Sequence, residues 1–596
     1  MVFKLLKSIF TTAQIEDPEI KYSLNSIQNF VEENINNLIV SSLDELGKTY
    51  SEIRKLRRRK EIFKTQLNLC GLGDIASKEF IKSWIADLIT QKYGVNQKNI
   101  HYAINFDNPS TYIKFSILLY QYKKDYGYNA LKKFISINKL DKLKKLDNET
   151  MYAVTEEDIE NVYDKEFDYS NELRFYEKLD ILVQIIYERT NGLSVIDEIR
   201  DMNCDGISIG VSGVPIDFIY KINDLNIKNN TNLNYPMSYD SVWLYLNGKE
   251  ISLPFMGFGS QRELERVCRK LYRFNNQKQF TKSDGYLFNN MADLSRVVVY
   301  RPPFAESWVG IVRKFDIDGD LDELIIHENS DIVKLIIYYM IRANSNICVT
   351  GQQGAGKTTM LVACTKKLYA NKTIRTFESY FETFLRIKMP RRNIITLRET
   401  EELNGEKALD SLKKSNGQIT IISEAAEDKA KAYVIKGALA ASECVHWTDH
   451  SVNPDEIVQT HRNACINVGL FSDENKAEEQ VLSVLQWNIH MVNDDVEGYR
   501  YIDRITEFIR LDTNEFKDDP SSEAFHENAK LYFEKKTDAK KYKYVNIVEF
   551  DKKNKKYIIS NNISEYRINY MMKRLRESDQ LGFSQLLNRI KEELRC

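Results

Sequence analysis

The fold is decided by the stretch Asn346-Ile-Cys-Val-Thr350-Gly351-Gln-Gln-Gly354-Ala-Gly356-Lys357-Thr358-Thr359. Its first five residues are typical of a short apolar strand. The residues after it carry helical spacing, with four side chains on one face: Met360, Leu361, Cys364 and Leu368. The middle matches the pattern G-x-x-x-x-G-K-[ST], in which glycines let consecutive backbone N–H groups point at a phosphate beside a helix N-terminus. We therefore predict a strand, a phosphate-binding loop and a helix.

This pattern assigns a role to each residue of the loop. The predicted nucleotide-binding residues are Gly351, Gln352, Gln353, Gly354, Ala355, Gly356, Lys357, Thr358 and Thr359. Lys357 is expected to reach the β- and γ-phosphates, and the hydroxyl of Thr358 to bind Mg²⁺. The predicted cofactors are therefore ATP and Mg²⁺.

The sequence around the loop suggests four segments. Residues 319–510 alternate short apolar runs with helical segments, which is typical of a parallel α/β sheet, and 511–596 form a C-terminal α/β tail. Upstream, 171–318 show strand-like alternation and the turn signal Asn247-Gly248, so we predict an α+β domain there. Residues 1–170 are charged and carry helical spacing, as at Val31, Ile35 and Leu38, which predicts a helical region.

Composition excludes several classes of protein. The 596 residues include only 24 glycines and 10 prolines, which disfavours collagen-like and low-complexity chains. The formal net charge of −2 argues against a uniformly basic nucleic-acid binder. The 8 cysteines form no CxxC pair, which fits neither a disulfide framework nor a zinc site and favours a reducing cytosol. No apolar run is long enough for a membrane span, and the opening residues lack the apolar core of a signal peptide.

A basic run from Arg54 to Lys60 lies in the predicted helical region. It is compatible with the solvated face of a helix, or with a contact to anionic lipid or an acidic partner.

Two acidic residues follow the loop at places where hydrolysis needs carboxylates. Glu378 comes just after the apolar residues near Ile374, about 20 residues beyond the loop. Glu424 stands at the end of the buried-strand run Ile419–Ile422, at the sheet edge where α/β folds place their ligands. We predict that such carboxylates orient water or hold the hydrated metal.

The order of these and further motifs resembles the type II/IV secretion ATPases, specifically the CpaF-like branch that drives Flp/Tad pilus assembly. Phe377–Glu382 resembles the aspartate box of that family, Ile419–Glu424 its Walker B segment, and His450–Glu456 its histidine box. Upstream, Ser295–Val297 and Ile311–Phe315 resemble the end of the family's N-terminal domain. The resemblance implies a RecA-like P-loop ATPase domain preceded by a PAS-like α+β domain.

The resemblance also implies roles for individual residues. Glu424 would polarise the attacking water, and Glu378 would help to hold Mg²⁺ or that water. Arg296 and Arg313 would neutralise phosphate charge in the manner of arginine fingers. His450 would sense the nucleotide near the γ-phosphate or couple subunits. The other histidines, His490 among them, have no metal-ligand spacing and receive no role.

Several positions depart from the family pattern. Ser379 replaces an aspartate, Ser423 a glycine, and Ala426 an arginine. The segment Leu397–Glu401 ends in an acid where the family has arginine, and Ala440–Cys444 lacks the expected glycines. These departures leave the rate of hydrolysis open, although the predicted catalytic groups are all present.

The resulting expectation is an oligomeric, cytoplasmic ATPase that associates peripherally with the membrane. It would form a homohexamer and drive pilus assembly or protein secretion through a polytopic inner-membrane platform, with pilin or secretion machinery as partners and no direct contact with nucleic acid. Two alternatives remain: a DNA-transfer motor of the conjugation type, and a nucleotide-gated scaffold with weak hydrolysis.

Overall fold

The computed structural model describes residues 17–40, 50–146, 149–166, 173–218, 235–273, 280–281, 283–314, 319–399, 405–439, 442–494, 497–511, 521–536 and 541–595. The chain divides into two compact units, Met1–Phe315 and Asp316–Cys596. Residues 1–16 of the predicted helical region lie outside the described residues. So do residues 400–401 and 440–441, which belong to the two segments that depart from the family pattern.

The first unit combines ten described α-helices with eight strands. The helices are α1 Pro18–Lys21, α2 Leu24–Val40, α3 Tyr50–Gly71, α4 Ile75–Asp87, α5 Thr111–Tyr126, α6 Ala130–Ile137, α7 Glu156–Glu166, α8 Phe175–Thr190, α9 Asp197–Asp201 and α10 Gln261–Leu271. The strands are β1 Leu143–Leu146, β2 Glu149–Ala153, β3 Gly206–Ile209, β4 Val242–Leu246, β5 Lys249–Ser252, β6 Tyr286–Asn290, β7 Arg296–Tyr300 and β8 Val309–Arg313.

The eight strands of this unit form one sheet in the order β1-β2-β5-β4-β3-β8-β7-β6. The predicted hairpin is confirmed, because β4 and β5 pair antiparallel around Asn247 and Gly248, whose φ angles of 52° and 81° suit a two-residue turn. The region expected to be helical also supplies β1 and β2, and β2 pairs parallel with β5. This region therefore contributes to the same sheet as the α+β part.

Helix α2 packs on the core through the side chains that the helical spacing predicted. Val31 and Ile35 on α2 are buried, and Leu38 packs against the same core. The basic run lies on α3, where Arg54, Lys55 and residues 57–59 are exposed, as expected for a solvated helix face. Within the described ranges, no helix has both the length and the apolar character needed to cross a membrane.

The second unit contains eleven described α-helices and nine strands. The helices are α11 Leu321–Leu324, α12 Ser330–Arg342, α13 Lys357–Lys367, α14 Leu385–Lys388, α15 Gly405–Lys413, α16 Asp428–Leu439, α17 Pro454–Asn467, α18 Glu474–Val484, α19 Ser522–Lys536, α20 Glu565–Arg574 and α21 Glu577–Glu593. The strands are β9 Ile347–Gly351, β10 Ile374–Glu378, β11 Ile394–Arg398, β12 Ile419–Ile422, β13 Cys444–Asp449, β14 Trp487–Asp494, β15 Tyr499–Arg510, β16 Tyr542–Asp551 and β17 Lys556–Ile559.

The sheet of the second unit has the order β11-β10-β12-β13-β9-β14-β15-β16-β17. The strands from β11 to β14 are parallel, and every residue of β9, β10, β12 and β13 is buried, as expected for strands covered on both faces. From β14 onward the pairing is antiparallel. The mixed α/β fold is confirmed, and β16 and β17 of the tail extend the same sheet.

The buried His446 is one of the groups that make the stability of this unit depend on pH. His446 on β13 has no exposed surface, and its Nε2 lies 3.2 Å from the backbone oxygen of Ser345. Burial lowers the pKa of His446 to about 4. The unfolded chain therefore binds a proton at higher pH than the folded chain, so stability falls as the pH drops below the ordinary histidine range.

We predict that His446→Gln makes the stability of the protein less dependent on pH. Between about pH 7 and about pH 5, His446 costs the folded state about 2 kcal/mol, and glutamine removes this cost while keeping a donor for Ser345. Thermal unfolding of both proteins at the two pH values measures the difference. The exposed His526 supplies the control His526→Gln. An equal loss of melting temperature in all three proteins would contradict the assignment.

Candidate nucleotide site

The phosphate loop connects the buried strand β9 to helix α13, as predicted. Gly351 ends β9, and Gly356 precedes Lys357, the first residue of α13. Gly351, Gly354 and Gly356 have φ angles of 147°, 80° and 91°, a region that disfavours residues with a side chain. A Cβ on Gly351 would also lie 2.2 Å from the backbone oxygen of Met491. The glycines are thus required by both conformation and space.

Lys357 is the centre of the site. Its side chain is buried, and its Nζ donates to the backbone oxygens of Gly351 at 2.8 Å and Gln352 at 3.0 Å. It also lies 3.2 Å from Nδ1 of His450. Burial lowers the pKa of Lys357, and the carboxylates of Glu424, Asp449 and Glu382 act to raise it. The ammonium group thus has one acceptor for each of its three protons.

His450 joins Lys357 to Glu424. Its Nε2 lies 2.8 Å from Oε1 of Glu424, while its Nδ1 faces Lys357. Since the lysine can only donate, we assign the ring proton to Nε2, which then donates to the carboxylate. The side chains of His450 and Glu424 are 41 % and 39 % exposed, so this pair faces the surface of the unit. Three residues that the sequence predicted for the site are therefore in contact.

The turns that carry Glu424 and His450 are fastened to each other. The hydroxyl of Thr448 donates to the backbone oxygen of Ser423 at 2.5 Å. In return, the backbone N–H of Ala425 donates to the backbone oxygen of Thr448 at 2.8 Å. Next to His450, Asp449 is fully buried and accepts from the backbone N–H and the hydroxyl of Ser451 at 2.7 and 2.6 Å. These bonds fix the two turns at the ends of β12 and β13.

Glu378 faces its own loop. Its side chain is buried, and its two oxygens accept from the backbone N–H groups of Glu382 and Thr383 at 2.7 and 3.0 Å and from the hydroxyl of Thr383 at 2.5 Å. Burial raises the pKa of Glu378, and these bonds act to lower it. The structure thus places Glu378 as an organiser of the loop around residues 382–383, whereas the sequence predicted a ligand of Mg²⁺ or water.

The remaining predicted residues lie in two places. Thr358 is the second residue of α13 and is half-buried, whereas Gln352 and Gln353 are exposed and Ala355 is buried. Arg296 and Arg313 belong to the first unit, where β7 and β8 pair them directly. Their role as arginine fingers stays a prediction.

A magnesium ion needs only oxygen ligands, several of which come from water and phosphate. The hydroxyl of Thr358 and the carboxylate of Glu424 offer such oxygen ligands. Within the described ranges, no group of three or more His, Cys, Asp or Glu side chains is arranged to hold a metal by itself. These hydroxyl and carboxylate oxygens fit the chemistry of a magnesium ion, and its binding stays a prediction.

Three residues near the loop carried no signal in the sequence analysis. On β14, Asn488 donates to the hydroxyl of Thr350 at 2.8 Å, and that hydroxyl lies 2.8 Å from Nδ1 of His490. On β15, Nε of Arg500 donates to the backbone oxygen of Gly354 at 3.0 Å. These contacts depend on the pairing of β14 with β9, which no local pattern reveals.

The second unit has the geometry of a phosphate-binding loop on a parallel α/β sheet, and three solved structures illustrate what the chain is similar to. The VirB11 ATPase of the Brucella suis type IV secretion system, in complex with sulphate, is 14 % identical over 45 % of this chain and 89 % of its own, with a TM-score of 0.26. The Legionella pneumophila ATPase DotB is 14 % identical over 55 % and 84 %, with a TM-score of 0.34. The pilus retraction motor PilT with bound ADP is 12 % identical over 67 % and 92 %, with a TM-score of 0.35.

These proteins are of the kind that the sequence motifs resemble, but similarities below a TM-score of 0.5 add nothing to the functional argument. No family model and no curated protein matches the sequence. The CpaF-like branch stays a prediction.

We predict that Gly351→Ala destabilises the second unit, because the new Cβ would meet the Met491 oxygen in a backbone conformation unsuited to alanine. The expected loss is about 2 kcal/mol or more. Gly437→Ala is the matched control, since this glycine lies inside α16 with only ordinary contact at 3.9 Å, and it should stabilise by about 0.5–1 kcal/mol. Denaturant unfolding of the three proteins measures both effects, and equal stability of Gly351→Ala and wild type would contradict the geometry.

Proposed function

We propose that the protein is an ATPase whose second unit binds ATP on the loop from Gly351 to Thr359 and hydrolyses it with the help of Glu424. The observation that carries this proposal is the contact series from Lys357 through His450 to Glu424, with distances of 3.2 and 2.8 Å. It brings a buried ammonium group and a partly exposed carboxylate together at one sheet edge, which supports the proposal. Phosphoryl transfer needs such positioning and charge more than covalent chemistry.

The residues of the site divide the work as follows. The N-terminus of α13 and the loop N–H groups bind the phosphates, and Lys357 turns its protons from the loop oxygens to the β- and γ-phosphates. Glu424 accepts a hydrogen bond from a water molecule and orients it. The water oxygen bonds to the γ-phosphorus as the bond between that phosphorus and the bridging oxygen breaks. ADP leaves with the bridging oxygen, and a proton of the water passes to the released phosphate or to solvent. The hydroxyl of Thr358 would hold Mg²⁺, which would supply positive charge beside the phosphates.

The contacts of His450 are compatible with a role in sensing the nucleotide. Its two ring nitrogens contact Lys357 and Glu424 separately, so a change at the phosphates reaches the carboxylate through one ring. In the same proposal, Glu378 is a positioning residue, because its oxygens hold the loop at Glu382 and Thr383.

We extend the proposal to a motor that works as a homohexamer on the cytoplasmic face of a membrane. It would drive pilus assembly or protein secretion through a polytopic platform protein, with pilin or secretion machinery as its partners. The support is the order of the motifs in the sequence, from Ser295–Val297 to His450–Glu456. Arg296 and Arg313 would then contribute positive charge from the first unit during the catalytic cycle.

We predict that Lys357→Ala weakens ATP binding by about a hundredfold, because it removes a charge that contacts the phosphates directly. Glu424→Gln should retain ATP binding and lower the turnover number by about a hundredfold or more, because it removes the group that orients water. Nucleotide titration and phosphate release by the purified protein measure the two effects. The exposed Lys429→Ala and Glu427→Gln are matched controls that should behave like wild type.

The same measurements separate the alternatives. Wild-type turnover by Lys357→Ala would refute the proposed site. A wild-type protein that binds ATP without releasing phosphate would be a nucleotide-gated scaffold. A turnover number that rises with added DNA, in a salt-dependent manner, would indicate a DNA-transfer motor instead.

A further inference from the structure

Arg500 lies against the outer side of the phosphate loop. It is half-buried at the start of β15, and its Nε donates to the backbone oxygen of Gly354 at 3.0 Å. Its Cδ lies 3.5 Å from the place where a Cβ on Gly356 would stand. The arginine is therefore bonded to Gly354 and occupies the space beside Gly356, the residue before α13.

The strand pair β14 and β15, which carries Arg500, also contacts strand β9 just before the loop. β14 runs parallel to β9, with Met491 opposite Gly351. Asn488 donates to the backbone oxygen of Cys348 at 3.0 Å and to the hydroxyl of Thr350. From the hairpin of β14 and β15, contacts thus reach the end of β9 and then Gly354. Arg504, also on β15, donates to the backbone oxygen of Val452, just beyond His450.

Such support has a physical reason. A loop with three glycines at positive φ loses much conformational entropy when it is fixed, since glycine has the most freedom in an unconstrained chain. The Nζ of Lys357 holds the start of the loop, through the oxygens of Gly351 and Gln352. When that ammonium group turns to a phosphate, the loop loses those bonds. The bond from Arg500 to Gly354 does not involve Lys357.

We propose that Arg500 is a positioning residue that keeps the phosphate loop in its binding conformation through the Gly354 oxygen. It acts on the loop and not on the reacting atoms. Its effect should therefore appear in the affinity for nucleotides with a β-phosphate, ADP and ATP alike, and not in the turnover number at saturation. The inference rests on the proposed function, because it assumes that this loop binds a nucleotide.

The test compares Arg500→Met, Arg500→Lys and wild type. Methionine keeps much of the apolar stem but has no donor, so ADP and ATP should bind about tenfold more weakly, as expected for the loss of a bond from a charged donor. Lysine keeps a charged donor and should restore the affinity to within about threefold of wild type. The turnover number at saturating ATP should change less than about twofold in both variants. Arg510→Met, at the exposed end of the same strand, is the matched control.

Each outcome decides the inference. Wild-type ADP affinity in Arg500→Met would overturn it. A fall in the turnover number of a hundredfold or more in both variants would also overturn it, since Arg500 would then act on the transition state. If Arg500→Met does not fold, Arg500→Lys decides alone, and a tenfold loss of affinity in that variant would count against the inference. If wild type itself binds no ADP, the proposed function fails. If wild type and Arg500→Met bind ADP equally well while Lys357→Ala loses ADP affinity, only the role of Arg500 is rejected.

Discussion

The site depends on the hydrogen bonds that the buried ammonium group of Lys357 makes. A charged group removed from water is costly unless each of its protons finds an acceptor. Here the acceptors come from the end of β9, from the loop and from His450, and they are 2.8 to 3.2 Å from Nζ. The backbone must therefore bring the residues after β9 and after β13 to one point. The fold of the second unit can be understood as the means of meeting this requirement.

The strand order of the sheet meets it directly. β12, β13 and β9 are neighbours in that order, and their carboxyl ends lead to Glu424, His450 and Lys357. The order of contacts among the three side chains follows the order of the strands that precede them. On the other side of β9, β14 holds the strand through Asn488 and blocks any side chain at Gly351 through Met491. The parallel sheet thus determines both the contacts within the site and the need for glycine in the loop.

Local pattern predicted much of this arrangement. The glycines and lysine of the loop, the buried run before Glu424 and the turn at Asn247-Gly248 all express their structure within a few residues, so they could be identified from the sequence. The contacts of Arg500 and His490 could not, because they arise from the pairing of β14 with β9 and of β15 with β14, about 140 residues from the loop in the chain. The orientation of Glu378 could not be identified from the sequence either. A carboxylate at the end of a strand has the same local pattern whether it faces a ligand or its own loop.

The contrast between Glu378 and Glu424 is the reason why we propose the second residue for the chemistry. Glu378 is the last residue of β10 and Glu424 lies two residues beyond the neighbouring parallel strand β12. Glu378 is buried with three donors on its oxygens, whereas the side chain of Glu424 is 39 % exposed and is held by His450. To reach water, Glu378 would have to leave the buried N–H of Thr383 without its acceptor, at a cost of about 1–3 kcal/mol, and would also release the half-buried N–H of Glu382. Glu424 gives up one partly exposed bond, which costs about 1 kcal/mol or less because water replaces it. The proposed reaction needs a carboxylate that can turn toward a water molecule in each cycle at low cost, and of these two residues Glu424 meets that requirement.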